Sequence, residues 1–349
     1  MSSSRRQFIA TGAAAAAGAT TFWSISALGA KAQPITASHS VNTTIYAAHM
    51  VANTRGFMEG EGLTMHVIEA RGGSNVRRIL AAGQVGYALG DSSHPLQLTN
   101  RGRASKILMA TDNRCSYANI IARKELVDKG IDTVEKLAEH KREDGSAPVI
   151  AATGIGSGTW VYGTFVLEQL GVDDRFNWVA GGGSKTMLGG LKTGKFDAMM
   201  AVPAWRFAAE DGGFGALIYD ISDESSWTNV FGGTIPASVI YVLDHATTNN
   251  AEITQKYVTA MYKAMRWLES ASVDEVYAAI AEDLPRFTAE QVKKEIVYYK
   301  NIWRYDGGFT QADFDTGAKV WFRAKTKIAA LSYEDVADMS FLEAAKKAA

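Results

Sequence analysis

The polar residues best placed for chemistry stand in four short loops, and each loop follows an apolar run typical of a strand. The loops cover 38–42, 72–75, 90–94 and 156–160, and each leads into a helical pattern. The start of a helix carries unpaired N–H groups and a partial positive charge. In open α/β sheets, ligands sit beyond the carboxyl ends of strands. The four loops therefore favour the binding of a small anion.

The candidate ligand contacts in these loops are mainly hydroxyl and glycine residues, which donate hydrogen bonds or allow close backbone approach. They are Ser38, His39, Ser40, Asn42, Gly73, Ser74, Ser92, Ser157, Gly158, Thr159 and Trp160. Among them, His39 can pair with a carboxylate and Trp160 can stack on an aromatic ligand. Ser74 is also expected to cap a helix over 74–82. Asp91 either accepts from a ligand amine or caps the next helix.

Four further candidates follow other predicted strands. Ser184 stands in a glycine-rich turn, and Pro203 and Trp205 follow the strand predicted over 196–201. Arg114 follows the strand predicted over 107–110 and offers a counter-ion for the ligand. The alternative for Arg114 is a surface or inter-lobe salt bridge.

The sequence contains no complete motif for a nucleotide cofactor or a metal ion. The run Gly154-x-Gly156-x-Gly158 resembles a dinucleotide fingerprint, but its sixth position is Thr159 and no acidic residue ends the next strand. A single cysteine, Cys115, excludes a disulfide framework and a cysteine-rich metal site. The six histidines form no H-x-x-x-H pair. We therefore expect no catalytic residue, no metal and no cofactor.

The charge balance narrows the class of partner. The 349 residues include 36 basic and 37 acidic side chains, which argues against a non-specific nucleic-acid binder. A length of this order suits one large domain or two smaller ones.

The N-terminus has the three parts of an export signal. Arg5 and Arg6 precede an uncharged stretch rich in Ala and Gly, which ends at the small-x-small site Ala30-Lys31-Ala32. Residues 1–32 are therefore predicted to be a cleaved signal peptide of the twin-arginine type. The alternative is an uncleaved membrane anchor. Residues 33–349 should form an exported protein that is not embedded in the membrane and carries a charge of −4.

Strand and helix patterns alternate twice along the chain, which implies two sheets with helices on both faces. The predicted strands are 35–38, 63–68, 87–89 and 107–110, then 148–152, 176–179 and 196–201. The extended runs 119–123 and 237–243 are predicted to pass between the two halves. The predicted helices are 41–53, 74–82, 160–170, 185–191, 253–268, 273–281, 289–299, 311–330 and 333–347.

The order of several short motifs is more specific than any one of them. Gly56–Leu63, Leu80–Tyr87, Thr133–Leu137, Gly156–Thr159 and Leu191–Ala198 follow one another at characteristic spacings. In this the chain resembles the periplasmic solute-binding proteins of ABC importers, in the nitrate/taurine/aliphatic-sulfonate/thiamine-precursor group. The resemblance runs from about residue 36 to beyond residue 240.

This resemblance implies a two-lobed α/β fold, the type II periplasmic binding protein. Each lobe has a mixed, mostly parallel sheet flanked by helices, and the ligand cleft lies between the lobes. Residues 33–120 and 237–349 would form lobe 1, and residues 121–236 would form lobe 2. The implied activity is the capture of a small molecule. The hydroxyl-rich helix starts suit a sulfonate, a carboxylate or nitrate, and Trp160 and Trp205 near the candidate loops favour an organic anion, aromatic ones included. The implied partner is a membrane permease with its ATPase, and the protein would be a periplasmic monomer.

Three alternatives stay open. Twin-arginine export also serves cofactor-bearing oxidoreductases, so an exported enzyme is one. A pyrimidine-precursor synthase shares the fold, although the signal peptide and the lack of a Cys/His iron site argue against it. A binding component of a membrane sensor is the third.

Overall fold

Ten strands form two sheets in the computed structural model, which describes residues 32–348. The predicted signal peptide thus lies outside the described residues, except for Ala32. The strands are β1 (Gln33–His39), β2 (Leu63–Glu69), β3 (Tyr87–Asp91), β4 (Ser105–Ala110), β5 (Asn119–Arg123), β6 (Val149–Ala152), β7 (Asn177–Ala180), β8 (Ala198–Ala201), β9 (Gly215–Tyr219) and β10 (Ser238–Leu243).

The two sheets have the same plan. The first has the order β2-β1-β3-β10-β4 and the second β7-β6-β8-β5-β9. In the first, β1 pairs in parallel with β2 and β3, while β10 runs antiparallel between β3 and β4. In the second, β6 pairs in parallel with β7 and β8, while β5 runs antiparallel between β8 and β9. Each sheet is therefore mixed.

The two apolar runs predicted to pass between the halves do not do so, and that prediction is wrong. They form β5 and β10, each of which is paired on both sides within one sheet. Their side chains are apolar because strands in the middle of a covered sheet are buried on both faces. The chain passes between the sheets just outside these strands, at 111–118 and 220–237.

Helices cover both sheets. They are α1 (Ala47–Thr54), α2 (Phe57–Gly60), α3 (Gly73–Ala81), α4 (Ser93–Asn100), α5 (Lys124–Asp128), α6 (Val134–Glu139), α7 (Gly158–Gln169), α8 (Ser184–Lys192), α9 (Pro203–Asp211), α10 (Glu224–Phe231), α11 (His245–Asn249), α12 (Ala251–Ser270), α13 (Val273–Ile280), α14 (Ala289–Lys300), α15 (Gln311–Trp321), α16 (Tyr333–Val336) and α17 (Ser340–Ala348). Short 3-10 turns occupy Thr44–Tyr46 and Ala281–Asp283.

Three predicted helices have different bounds. The helix predicted over 41–53 begins with the 3-10 turn and becomes α-helical only at Ala47. The helix predicted over 311–330 ends at Trp321, and Arg323 just beyond it donates to the Val161 carbonyl of α7 at 2.7 Å. The helix predicted over 333–347 is two short helices, α16 and α17. For α15, the contact of Arg323 with α7 is a tertiary interaction that overrides the local pattern.

The predicted capping role of Ser74 is also wrong. The residue that precedes α3 is Gly72, and Ser74 lies inside the first turn. Gly72 has a φ of 147°, which favours glycine. Its amide donates to the Ser40 carbonyl at 3.1 Å. The glycine therefore joins α3 to the loop after β1.

The start of α14 carries a capping box. The Gln291 amide donates to Thr288 Oγ1 at 3.2 Å, and the Thr288 amide donates to Gln291 Oε1 at 3.0 Å. Replacing Thr288 with alanine removes one of these bonds and should lower the free energy of unfolding by about 1 kcal/mol. Thr288→Ser keeps the hydroxyl and should stay close to wild type in urea denaturation. Equal losses for both variants would contradict the capping role.

No helix within residues 32–348 combines the length and apolar character needed to cross a membrane.

Candidate functional site

A cavity lies where the carboxyl ends of the parallel strands of one sheet face those of the other. Residues from the first sheet's loops and from the second sheet's loops form opposite walls. The lining residues are Ser40, Val41, Ile45, Tyr46, Gly73, Asp91, His94, Tyr117, Thr153, Gly158, Thr159, Val202 and Trp205. About 30 Å³ is open to the centres of water molecules, which is room for roughly two or three waters. The walls must therefore separate to admit an organic molecule.

Two helix N-termini meet at this cavity without side-chain caps. Gly73 begins α3 on one wall, and Gly158 begins α7 on the other. The residues before them, Gly72 and Ser157, make no side-chain capping bond. The first N–H groups of a helix have no partner within the helix, and they favour negative charge. The two walls thus offer donors from both sides.

Glycine allows the walls to come this close. A Cβ added to Gly158 would lie 2.6 Å from Cγ of Asp91 on the opposite wall. A Cβ added to Gly73 would lie 2.8 Å from Nε2 of His94 on its own wall, and 3.5 Å from Cβ of Ser157 on the opposite wall. Real Cβ atoms are never so close to a neighbour, so both positions exclude larger residues in this closed arrangement.

Asp91 is the acidic group of the cavity. It is 4% exposed, and its Oδ1 accepts from the Ser93 amide at 2.9 Å and from the Ser93 hydroxyl. Its Oδ2 accepts from the Tyr117 hydroxyl. Burial raises the pKa of Asp91, although these hydrogen bonds and the nearby Arg77 charge act in the opposite direction. Asp91 can accept a hydrogen bond from a bound molecule.

His94 lies beside Asp91 on the same wall. Its Nδ1 lies 3.0 Å from the Tyr241 hydroxyl, and its buried Nε2 has no hydrogen-bond partner among the described residues. Burial, reinforced by the Arg77 charge, holds the pKa of His94 well below its usual range, so the ring is neutral. A neutral ring that accepts from Tyr241 at Nδ1 carries its hydrogen on Nε2. Nε2 is then a donor at the cavity wall.

The predicted loop before α7 contributes through Gly158 and Thr159. Thr159 Oγ1 accepts from the Thr153 amide at 3.0 Å and lines the cavity. The Ser157 hydroxyl donates to the Gly154 carbonyl at 2.6 Å. Ser157 lies behind the lining, and its hydroxyl proton is already engaged. Its bonds hold the loop in shape around the start of α7.

Of the candidates after β1, only Ser40 lines the cavity. Its Oγ lies 2.7 Å from the Tyr46 hydroxyl. Ser38 donates to the Ile68 carbonyl at 2.8 Å, which ties β1 to β2. His39 Nε2 lies 2.7 Å from Asn42 Oδ1, and burial lowers the pKa of His39 to about 4. The ring is therefore neutral, and His39 and Asn42 bind each other outside the lining.

The remaining candidates lie apart from the lining, except for Gly73 and Trp205. Trp160 faces a separate surface depression together with Gln97, Arg101 and Lys327. Ser184 accepts from Trp205 Nε1 at 3.0 Å, so it positions a lining residue. The others outside the lining are Ser74 in α3, Ser92, Arg114 and Pro203 at the start of α9. The buried Oγ of Ser92 has no hydrogen-bond partner among residues 32–348, and Nη2 of Arg114 donates to the Ser222 carbonyl at 3.2 Å.

A family model for the NMT1-like family matches residues 40–282, which is most of the chain. This chain belongs to the NMT1-like family. No protein of curated function matches it.

Several solved structures have the same architecture as this chain at low sequence identity. A protein from Bordetella bronchiseptica RB50 is 19% identical, with a TM-score of 0.79 over 90% of this chain and 97% of that chain. The periplasmic nitrate-binding protein NrtA from Synechocystis PCC 6803 is 13% identical, with a TM-score of 0.69 over 91% and 89%. The alkanesulfonate-binding protein SsuA from Xanthomonas axonopodis pv. citri, bound to MOPS, is 14% identical, with a TM-score of 0.62 over 88% and 98%. The predicted two-lobed binding-protein fold is confirmed.

The cavity between the two walls is also lined by residues that were not among the candidates from the sequence. Tyr117 lies on the segment that passes from the first sheet to the second, and Tyr46 lies in the 3-10 turn before α1. Thr153 and Val202 directly follow β6 and β8. The end of a strand was a usable signal for the last two. Tyr117 carried no such signal, because its position depends on how the crossing segment folds.

Residues 32–348 hold no group of three or more His, Cys, Asp or Glu side chains that could bind a metal ion. Cys115 is buried, and burial raises the pKa of its thiol well above the usual range. A thiol held in its neutral form is a poor nucleophile.

Proposed function

We propose that this protein is the substrate-binding component of an ABC import system. It captures a small organic anion, a sulfonate or a carboxylate, and delivers it to a membrane permease driven by an ATPase. The observation that carries the proposal is the cavity between the two sheets, where the uncapped starts of α3 and α7 face each other. Proteins named for nitrate and alkanesulfonate binding share the fold, which supports it.

The ligand is proposed to carry a hydrogen-bond donor as well as its acidic group. Asp91 lines the same cavity, and a carboxylate beside a bound anion is unfavourable unless a donor lies between them. A hydroxyl or amine on the ligand provides that donor. Trp205 supplies an apolar wall, whereas Trp160 faces the separate depression. Of the two tryptophans, Trp205 is thus the one placed to contact an aromatic ligand, beside the lining rings of Tyr46 and Tyr117.

Binding is proposed to close the two lobes. The predicted lobes, 33–120 with 237–349 and 121–236, each hold one sheet, except that β5 of the second sheet begins at Asn119. The chain crosses between the sheets at 111–118 and 220–237. A ligand that touches both walls gains its full set of contacts only in the closed form, and it therefore shifts the population toward that form. The closed form is the one that a permease would recognise.

The proposed location is the periplasm, reached by the twin-arginine route and occupied as a monomer. The proteins that share the fold include ones named as periplasmic, which supports the location. A permease and a membrane sensor would dock the same closed form, so transport is distinguished from sensing by uptake of the ligand into cells.

The proposal is tested by thermal unfolding of the purified protein with a panel of solutes. The panel contains alkanesulfonates, hydroxy- and amino-carboxylates, aromatic carboxylates, nitrate, pyrimidines, a flavin and a nicotinamide nucleotide. A true ligand at 100 times its dissociation constant adds about 2.7 kcal/mol to the free energy of unfolding. We expect a small organic acid to do so. A shift with the flavin or the nucleotide alone would favour an exported enzyme instead.

Asp91→Asn tests the proposed donor on the ligand. The asparagine keeps the size of the side chain, its Oδ1 still accepts from the Ser93 amide, and the Tyr117 hydroxyl can turn to accept from Nδ2. The acceptor for the ligand is lost, so affinity should fall on the order of tenfold to a hundredfold in calorimetric titration. Asp220→Asn, which alters an exposed ion pair with Arg206, is the control. Unchanged or tighter binding by Asp91→Asn would contradict a ligand donor at this position.

A further inference from the structure

A buried carboxylate on α14 connects the two walls of the cavity. Glu295 is 0% exposed, and its Oε1 accepts from the Ala204 amide at 2.8 Å. Its Oε2 lies 3.4 Å from the Thr44 amide, a longer contact. Thr44 belongs to the 3-10 turn after β1 of the first sheet, and Ala204 to the first turn of α9 after β8 of the second.

Both partner amides adjoin residues that line the cavity. Thr44 precedes Ile45 and Tyr46 on one wall, and Ala204 lies between Val202 and Trp205 on the other. Glu295 is thus a single side chain that contacts the backbone of both walls directly behind the candidate site. If the walls move apart, at least one of these contacts must break.

We infer that Glu295 is a positioning residue for closure, and that closing the cleft is coupled to proton uptake by its carboxylate. The inference rests on the proposed function in one respect, because it assumes that the two walls open and close. The inference goes beyond the proposed function in stating that a lower pH favours the closed form, whichever ligand binds.

The direction follows from the surroundings of the carboxylate. Burial raises the pKa of Glu295 from its ordinary value of 4.5 to about 7, and the bonds from Thr44 and Ala204 oppose this only in part. When the walls separate and water reaches the carboxylate, its pKa returns toward the ordinary value. Closing between pH 5 and 7 therefore binds a proton, and the closed form gains as the pH falls. The neutral acid still accepts from Ala204 through its carbonyl oxygen.

Charged and titratable groups on the elements packed against Glu295 have other partners. Tyr46 contacts Ser40, and Arg206 pairs with Glu210 and Asp220. Asp211 accepts from Gln291, Asp274 pairs with Lys293, and Glu275 accepts from Ser272. On α14 itself, Tyr299 contacts Ser116. Burial, and to a smaller extent the Glu295 charge, raises the pKa of Tyr299 well above its usual value. Burial also raises the pKa of Asp91 and of Asp112 near the cavity, so variants at Glu295 are needed to assign the effect.

The test measures closure without any ligand. Spin labels are placed at Gln84→Cys and Lys195→Cys, which are exposed positions just before β3 and β8, in a Cys115→Ser background. Pulsed electron–electron double resonance then gives the populations of short and long distances between the two labels at pH 5 and pH 8. Between these values the ratio of closed to open protein should change on the order of tenfold or more, with more closed protein at pH 5.

Variants on α14 make the assignment. Glu295→Gln is a permanent mimic of the neutral acid and should give the same distances at both pH values. Glu290→Gln, an exposed position on the same helix paired with Lys294, should keep the wild-type response. A pH response that persists in Glu295→Gln would overturn the inference, as would wild-type protein with no response. The absence of a response in the wild-type protein would overturn the inference even if Glu295→Gln fails to fold. A normal response in a protein that binds no solute would contradict the proposed function alone.

Discussion

Replacing Gly158 with alanine is expected to weaken solute binding on the order of a hundredfold and to leave the protein folded. The added methyl group would point at Asp91 across the cavity, 2.6 Å from its Cγ. The walls cannot then reach the closed arrangement, because protein interiors do not absorb a contact of this kind without strain. In the open protein we expect the methyl group to lie away from Asp91, because the two walls are then apart.

The expected loss of affinity for Gly158→Ala is on the order of a hundredfold, measured by calorimetric titration with the best solute from the thermal panel. Stability should be unchanged or slightly higher, since alanine favours the helix. Gly189→Ala in α8 is the matched control, because a Cβ there meets nothing within 4 Å. Equal affinities for the two variants would show that the walls do not approach each other at Gly158 when solute binds.

Replacing Asp197 with asparagine is expected to have the largest effect on stability. Asp197 precedes β8 and is 0% exposed. Its Oδ1 lies 3.1 Å from Arg123 Nη2, its Oδ2 lies 2.8 Å from Arg142 Nη1, and Oδ2 also accepts from the Val149 amide at 2.8 Å. These contacts join β5, β6 and β8 at one end of the second sheet. Losing the negative charge removes the shared partner of two guanidinium groups, although Arg123 keeps Glu125 at 3.3 Å.

Asp197→Asn should lower the free energy of unfolding by about 3 kcal/mol in urea denaturation, the low end for breaking a buried ion pair. The low end applies because both arginines keep some contact with water. Asp220→Asn breaks an exposed pair with Arg206 and should cost less than about 1 kcal/mol. Asp197 lies at the end of the sheet away from the cavity, so affinity should be unaffected. A loss no greater than that of the control would contradict this account of the second sheet.

The sequence predicted the strands better than the helix ends. Leu63–Glu69 and Tyr87–Asp91 were recognisable because alternation and short apolar runs reflect burial directly. The bounds of α15 depend on Arg323 and its contacts with α7, which are distant in the chain. Likewise β5 and β10 were apolar enough to be noticed, but nothing local showed that they insert antiparallel into the two sheets.

The candidate site was predicted at the level of loops rather than of side chains. The turn before α7 was identified, and Gly158 and Thr159 do line the cavity. His39 was misleading because its ring stacks on Tyr46, with centroids 4.7 Å apart, and pairs with Asn42. Trp160 follows Thr159 directly, yet one step along a helix turns its side chain to a different surface. Which loop residues face inward depends on both walls at once.

The most direct test of the central claim is a crystal structure of the protein grown with the solute that stabilises it most. The account predicts that density for the solute fills the cavity between the two walls, within hydrogen-bond distance of Asp91 and of the first amides of α7. Density only in the depression beside Trp160, or a solute that touches one wall alone, would contradict it.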